Sequence, residues 1–319
     1  PSLKSSPELK SKVSSFLSIL ADNDKGSLAS VKSLLDRQPK VSDNDLKLIF
    51  DKLISMISTT YDPKVGDAKA LVKAALHDVG MPSDISQERI GTCTATTVQI
   101  QLAIRNPVEY LKMLDTLAKN QPYTTLKGSV VPPNFTFTDE GVGTNLDTGR
   151  TISSKVMQNA IMDFGDAETR AFDSSKGHGG LSYQQTAKAL NQIVNLNVES
   201  SWIWDYSPTQ LIDIAKKSKP SWENPIEISL SYEKSGRDAR HSVSLVDMND
   251  SNVTIVNPWG KEETFPIAEL QPRILSINNP VGLDKGIIKI DPKDPSIKTN
   301  LQDDSKKAEL LNKISVAQK

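Results

Sequence analysis

Cys93 is the only cysteine in the 319-residue sequence, and it stands where a predicted helix begins. Gly91 and Thr92 come just before it in the stretch SQERIGTCTATTVQIQLA. The free N–H groups and the positive end of the dipole at a helix N-terminus favour a thiolate, the nucleophilic form of cysteine. A lone cysteine is more often a small buried hydrophobic residue. These features alone leave both interpretations open.

A nucleophilic thiol needs a base to take its proton, and the sequence offers three histidines. His77 lies on the apolar pattern AALHDVG, which is typical of a packed or helix-end histidine, and His178 lies in a glycine turn. His241 opens the predicted strand HSVSLVDM, and Asn257 follows sixteen residues later at the end of the next predicted strand. A short hairpin would bring these two residues together, so that Asn257 orients the imidazole of His241 and Trp259 covers their bond.

Two motifs around these residues resemble those of the papain-like cysteine peptidases. The segment H-S-V-S-L-V, which begins at His241, is similar to the family's H-A-V-x-x-V strand. The segment N-P-W-G, which begins at Asn257, is similar to its N-[SP]-W-G, in the proline form seen in calpains. Cys93 precedes His241 by 148 residues, within the roughly 130 to 150 expected of the family. The resemblance implies a Cys93–His241–Asn257 catalytic triad supported by Trp259.

Further residues match positions that the family uses around its nucleophile. The family places a glutamine six residues before the nucleophile as an oxyanion donor, and that position holds Gln87. Gly91 permits a close approach of the backbone to the thiol. Gly179 and Gly180 resemble the family's Gly-Gly pair, whose backbone binds extended substrate on the acyl side of the scissile bond. A plain glycine turn explains this pair equally well.

The chain also departs from the family pattern. R-I-G-T-C-T stands where C-G-S-C-W is usual, so Thr94 replaces the aromatic residue after the nucleophile. The family's disulfide cysteines are missing. The span from Cys93 to Gly180 is longer than in papain, and a loop predicted at about 120–150 accounts for part of the difference. The resemblance covers roughly residues 80 to 290 and is that of a distant relative.

The composition is that of a globular protein, with 37% hydrophobic residues, 24% charged residues and a net charge of -1. This balance argues against a nucleic-acid-binding surface. No apolar stretch approaches the roughly 18 to 20 residues of a membrane helix, and no signal peptide is visible. One cysteine cannot form an internal disulfide, so we expect a cytoplasmic protein or one exported without disulfides, such as a bacterial protease or toxin fragment. We expect no metal and no organic cofactor.

The spacing of apolar residues predicts helices in the first two thirds of the chain and strands in the last third. At least four amphipathic helices precede residue 80. After Pro220 the period changes from about 3.6 to 2 in IEISLSYE, HSVSLVDM, NVTIVNPW and GIIKIDP. MNDSN, between the second and third of these, predicts a hairpin turn. Helices followed by an antiparallel sheet or barrel indicate the α+β class.

The resemblance implies a papain-like two-lobe fold with an N-terminal helical extension. The predicted regions are a helical region at 1–75, a catalytic domain at 76–292, and a polar tail at 293–319. Within the catalytic domain, a helical lobe at about 76–200 carries the nucleophile and a β lobe at about 201–292 carries the base. The N-terminal helices could inhibit the site, bind a partner or extend the helical lobe. Their large apolar faces favour the last role.

For function, the resemblance implies a cysteine endopeptidase that cleaves peptide bonds in a protein or peptide substrate. The same triad also serves glutamine deamidation and transglutaminase-like acyl transfer, and nothing in the sequence separates these reactions. A binding protein of this fold with an idle triad is a third alternative. A fourth is that the motif matches are chance and that Cys93 is only a packed side chain.

Overall fold

The computed structural model describes residues 6–20, 25–137, 149–166, 172, 180–234 and 237–289. Within them, a helical part is followed by a mainly antiparallel sheet, so the predicted α+β class is confirmed. His178, Gly179 and the predicted polar tail lie outside the described residues. None of the helices described has the length and apolar character needed to cross a membrane.

The helical part begins with eight α-helices among the described residues. They are α1 (Pro7–Leu20), α2 (Lys25–Asp36), α3 (Asp43–Ile57), α4 (Ala68–Gly80), α5 (Cys93–Arg105), α6 (Pro107–Ala118), α7 (Ile152–Gly165) and α8 (Tyr183–Ile193). Several start at good capping residues: the side chains of Ser42, Asp67 and Thr151 accept bonds from N–H groups in the first helical turn. A short hairpin, β1 (Tyr123–Thr124) and β2 (Val130–Val131), lies in the predicted loop after α6.

The N-terminal helices share one hydrophobic core with the helices that follow. Phe16 of α1 and Phe50 of α3 are fully buried, with ring centroids 5.6 Å apart. Leu71 of α4 and Leu114 of α6 are fully buried in the same cluster. Because apolar burial is the main stabilising contribution in a domain, this shared core favours a structural role for residues 1–75. The domain boundaries themselves stay predictions.

Removal of residues 1–66 is therefore expected to unfold the helical part instead of activating the protein. The truncation removes α3, which packs against α4 and α6 and contributes the buried Phe50 and Leu53, and α1, whose Phe16 packs against Phe50. Each large side chain contributes about 1.5–3 kcal/mol when buried, so several together approach the about 5–15 kcal/mol that stabilise a whole domain. Circular dichroism on heating should show no cooperative transition. A truncated protein that unfolds cooperatively and gains activity would instead identify an inhibitory segment.

The last third of the described chain forms one open six-stranded sheet in the order β3-β8-β4-β5-β6-β7, with all neighbours antiparallel. The strands are β3 (Val198–Trp202), β4 (Ile226–Lys234), β5 (Arg237–Met248), β6 (Asn252–Asn257), β7 (Lys261–Pro266) and β8 (Ile274–Pro280). Helices α9 (Pro208–Ser218) and α10 (Ile267–Leu270) lie in the connections. Because β3 and β7 are edges that do not pair with each other, the predicted sheet is confirmed and its barrel form is wrong.

The predicted hairpin is present, and its strands β5 and β6 pair Leu245 with Ile255. The predicted strand GIIKIDP is wrong over its described residues, 286–289, which form a turn followed by irregular backbone. Ile287 packs against the sheet core, but Ile288 is 85% exposed. The segment instead lies on the protein surface, although its apolar and polar residues alternate. The preceding strand β8 already pairs with a strand on each side, so this segment cannot pair with it.

The sheet has one apolar and one polar face. Ile228 of β4 and Val243 of β5 are fully buried in a core that also contains Leu211 of α9. On the helical side, the Thr97 hydroxyl of α5 donates to the Ser242 carbonyl of β5 at 3.1 Å. This bond joins the helix that begins with Cys93 to the strand that contains His241.

Candidate active site

Cys93 is the first residue of α5, and only 8% of it is exposed. Burial, the largest effect, raises the pKa of the Cys93 thiol, and the nearby Glu227 carboxylate also raises it. Backbone N–H groups of Ser242, Thr94 and Cys93 itself interact with the sulfur and act in the opposite direction. The net result is a thiol pKa above its ordinary value. A cation beside the sulfur is therefore needed to favour the thiolate.

The imidazole of His241 is held by Asn257, as the motifs predicted. His241 Nε2 lies 2.8 Å from Asn257 Oδ1, and both residues are buried. Asn257 Oδ1 also accepts the backbone N–H of Trp259 at 3.3 Å, while Asn257 Nδ2 donates to the Glu263 carboxylate. These two contacts fix which amide atom is the oxygen, so His241 must donate from Nε2. In the neutral ring, Nδ1 then carries the lone pair and is the basic atom.

The Trp259 ring covers the histidine. The His241 and Trp259 rings stack with centroids 4.4 Å apart and an interplanar angle of 19°. The ring shields the hydrogen bond between His241 and Asn257 from water, which strengthens it. The structure therefore brings His241, Asn257 and Trp259 together in the arrangement predicted from the sequence.

The main chain brings the thiol to the strand that carries this histidine. The backbone N–H of Ser242 interacts with the Cys93 sulfur, and Ser242 directly follows His241 on β5. The bond from Thr97 to Ser242 fixes the next turn of α5 at the same strand position. Cys93, which lies 148 positions before His241 in the sequence, thus contacts β5 at the residue that directly follows His241.

The segment before Cys93 is bound to the N-P-W-G turn. The Gln87 N–H donates to the Pro258 carbonyl at 2.7 Å, and Ser86 forms an isolated β-bridge with Trp259. Gly260 has a φ of +74°, and a Cβ there would lie 3.0 Å from the Asp84 carbonyl oxygen. Both the backbone conformation and this close approach require glycine. The turn that holds Asn257 therefore also fixes the segment that leads to Cys93.

The Gln87 side chain lies in this segment and is 7% exposed. Its Nε2 donates to the Ile90 carbonyl at 2.9 Å, which uses one of its two amide N–H bonds. Its Oε1 is buried without a hydrogen-bond partner among the described residues. One donor therefore remains for an oxyanion, and the predicted role of Gln87 stays a prediction.

Gly180 borders the thiol. A Cβ at Gly180 would lie 3.7 Å from Cys93 Sγ, 3.4 Å from Thr94 Oγ1 and 3.8 Å from the Gly91 carbonyl oxygen. Thr94 Oγ1 accepts the N–H of Leu181 at 3.0 Å and so holds this segment against α5. Thr94, which departs from the family pattern, thus has a structural role that the sequence did not reveal.

Gly180→Val is expected to shield the thiol without unfolding the protein. Gly180 is exposed, and its Cβ would make only ordinary contacts, so the cost in stability should be small. A branched side chain over Sγ should add about 1–3 kcal/mol of steric cost to an approaching electrophile, which is roughly 10- to 100-fold in rate. The rate of Cys93 alkylation by iodoacetamide measures this effect, with Gly180→Ala as the intermediate case. Equal rates in all three proteins would place Gly180 away from the path to the thiol.

Two buried polar residues near the site were not predicted from the sequence. Gln158 of α7 contacts Thr92 and Ser86 on either side of Gln87. Glu227 of β4 is 1% exposed and accepts hydrogen bonds from three side chains, those of Ser229, Ser242 and Asn278. Burial raises the pKa of Glu227 to about 7. Nothing in the local sequence distinguishes either residue from a solvent-facing one.

His77 lies in the last turn of α4. Its Nε2 is 3.6 Å from Asp84 Oδ2, and its Nδ1 is 4.0 Å from Asp78 Oδ1. These contacts agree with the helix-end histidine expected from the sequence. The part of the chain described here holds no group of three or more His, Cys, Asp or Glu side chains arranged to bind a metal.

A comparison of the chain with protein families, with curated proteins and with solved structures found no match.

Proposed function

We propose that this protein is a papain-like cysteine hydrolase that cleaves peptide bonds. The observation that carries the proposal is the fixed orientation of Asn257, which leaves Nδ1 as the basic atom of His241, on the strand whose Ser242 N–H interacts with the Cys93 sulfur. In the proposed two-lobe arrangement, the helical part supplies the nucleophile, and the sheet supplies the base and its orienting residue. The sequence motifs support the same assignment.

In the proposed acylation step, His241 Nδ1 takes the proton of the Cys93 thiol. The sulfur attacks the carbonyl carbon of a substrate amide, and the carbonyl oxygen becomes an oxyanion. His241 then gives its proton to the leaving amine as the C–N bond breaks, which leaves a thioester at Cys93. Asn257 holds the imidazole in one tautomer throughout and does not titrate.

The oxyanion would be held by the Cys93 backbone N–H and by the remaining N–H of Gln87 Nε2. Loss of one such donor typically lowers the rate by about 10²–10³. In deacylation, His241 removes a proton from water, the resulting hydroxide equivalent attacks the thioester, and the thiol is regenerated with release of a carboxylic acid.

The protonation state of the Cys93–His241 pair depends on effects that raise and lower the pKa of the Cys93 thiol. Burial and Glu227 raise the pKa of its thiol. Transfer of the proton to His241 creates an imidazolium beside the sulfur, and at an effective dielectric constant near 20 two charges about 4 Å apart attract by about 4 kcal/mol. We therefore propose that the thiolate exists only as a pair with the charged imidazole.

Peptide cleavage is favoured over deamidation by the surroundings of the thiol. The exposed Gly180 beside Cys93 leaves room for the main chain of an extended substrate. Glutamine deamidation or acyl transfer to an amine remains the second candidate, because the same proposed triad could also carry out either of these reactions.

Product masses test the proposed reaction. The protein is incubated with a mixture of synthetic peptides, and Cys93→Ala serves as the control. Cleavage should give pairs of fragments whose masses sum to that of a peptide plus water. These fragments should appear with the wild type and not with Cys93→Ala. A gain of about 1 Da without cleavage would show deamidation. Unchanged peptides, or equal products from both proteins, would contradict a cysteine hydrolase.

A further inference from the structure

Thr92 occupies the N-cap position of α5, yet its side chain makes no capping hydrogen bond. A threonine at this position normally accepts the N–H of the second or third helical residue, here Thr94 or Ala95. The Thr92 hydroxyl instead donates to Gln158 Oε1 at 2.8 Å. The N–H of Thr94 is thereby left to interact with the Cys93 sulfur.

Gln158 also fixes the other end of the segment that precedes Cys93. Its Nε2 donates to the Ser86 carbonyl at 3.1 Å and to Gln99 Oε1 at 3.0 Å. Gln158 is fully buried, so neither contact competes with solvent. One side chain of α7 therefore contacts both ends of residues 86–92, the segment that contains Gln87.

The orientation of the Gln158 amide is fixed by its neighbours. The Gln99 Nε2 donates to the Tyr110 hydroxyl at 3.0 Å, and that hydroxyl donates to Asp78 Oδ2 at 2.6 Å. Gln99 must therefore present its oxygen to Gln158, and Gln158 must present its nitrogen to Gln99. Its oxygen is then the atom that faces Thr92. Because an amide oxygen only accepts hydrogen bonds, the Thr92 hydroxyl must be the donor in its bond to Gln158.

We propose that Gln158 is a positioning residue that diverts the Thr92 hydroxyl from capping α5, and so reserves the Thr94 N–H for the anion formed at Cys93. This inference rests on the proposed hydrolase function. Without Gln158, the hydroxyl has no acceptor at that place and is free to turn and accept the Thr94 N–H. The sulfur would then lose a donor that favours its charged form.

The test compares alkylation of Cys93 by iodoacetamide between pH 4 and 9 in four proteins: wild type, Gln158→Leu, the double variant Gln158→Leu with Thr92→Val, and Ser153→Ala. Ser153 donates to Asp78 at 2.6 Å, at the remote end of the same network. Its variant is the control for loss of a buried hydrogen bond far from the thiol. Thermal unfolding of all four proteins measures the accompanying loss of stability.

In Gln158→Leu, the apparent thiol pKa should rise by about one unit, and alkylation at pH 6 should slow about tenfold. Addition of Thr92→Val should restore most of the rate, because valine cannot cap the helix. Ser153→Ala should lose stability and keep the wild-type profile. If Gln158→Leu does not fold, Gln158→Met, which is unbranched like glutamine, takes its place.

A wild-type profile in Gln158→Leu overturns the inference, and so does a slow rate that Thr92→Val fails to restore. An equal slowing in Ser153→Ala would show that the effect is only a loss of stability. If the wild-type thiol itself titrates as an ordinary one and is insensitive to His241→Ala, the proposed hydrolase function fails first, and this inference fails with it.

Discussion

In His241→Ala, the reactivity of Cys93 at low pH is expected to disappear. The thiol is buried beside Glu227, and both raise its pKa above the ordinary value. A positive imidazole next to the sulfur, together with the backbone N–H groups of Ser242, Thr94 and Cys93, is expected to offset these effects. An ordinary thiol with a pKa of about 8.5 is only about 0.3% thiolate at pH 6. Loss of the imidazole should therefore slow alkylation at that pH by on the order of 10²–10³.

The measurement is the iodoacetamide rate constant from pH 4 to 9, with consumption of the single thiol followed by mass. The wild type should react at low pH, and His241→Ala should react only as the pH rises beyond about 8.5, because burial raises the thiol pKa. His77→Ala is the matched control, since His77 contacts Asp84 at the end of α4 and should leave the profile unchanged. Superimposable profiles for all three proteins would contradict the pairing of His241 with Cys93.

Glu227 is expected to make the protein less stable as the pH rises from about 4.5 to 7. Burial raises the pKa of this carboxyl from 4.5 to about 7, although Ser242, Ser229 and Asn278 donate to it. The folded state therefore holds the proton more tightly than the unfolded chain. Stability from this group is fully present below the unfolded pKa and is lost as the pH rises through the folded pKa. A shift of this size corresponds to about 3 kcal/mol.

Urea unfolding of wild type and Glu227→Gln at several pH values measures this contribution. The difference in free energy of unfolding between the two proteins should change by about 3 kcal/mol between pH 4.5 and 7.5, in favour of the variant at the higher pH. Glu269→Gln, at an exposed position on α10, should give no such change. Parallel curves for wild type and Glu227→Gln would show that the carboxyl is solvated or is charged at all of these pH values.

The elements that carry Cys93, His241 and Asn257 could be predicted because each has a strong local pattern. The alternation in HSVSLVDM and NVTIVN gave β5 and β6, and the MNDSN turn gave their connection. A hairpin then brings His241 and Asn257 to the same end of the two paired strands. The N-P-W-G motif added Trp259, whose ring lies on the histidine.

The residues that sequence reasoning missed are polar and lie in fully enclosed elements. Helix α7 is buried on nearly all sides, including Gln158 and Asn159, so its polar positions do not mark a solvent face. Strands β3 and β8 were missed because serine and asparagine residues interrupt their apolar pattern. Their side chains pair across the strands, as in Ser201 with Asn279 at 2.9 Å. The burial of these polar side chains and their hydrogen-bond partners depend on the tertiary fold. The local periodicity of the sequence does not contain that information.

The most direct test of the account is whether Cys93 forms an acyl intermediate. The protein is mixed with p-nitrophenyl acetate, quenched in acid at successive times, and weighed intact by mass spectrometry. We predict that one acetyl group appears on Cys93 as p-nitrophenolate is released, and that it is then lost to water. The adduct should be absent in Cys93→Ala and should form far more slowly in His241→Ala. No acetyl group on Cys93, or equal rates with and without His241, would contradict the proposed nucleophile and base.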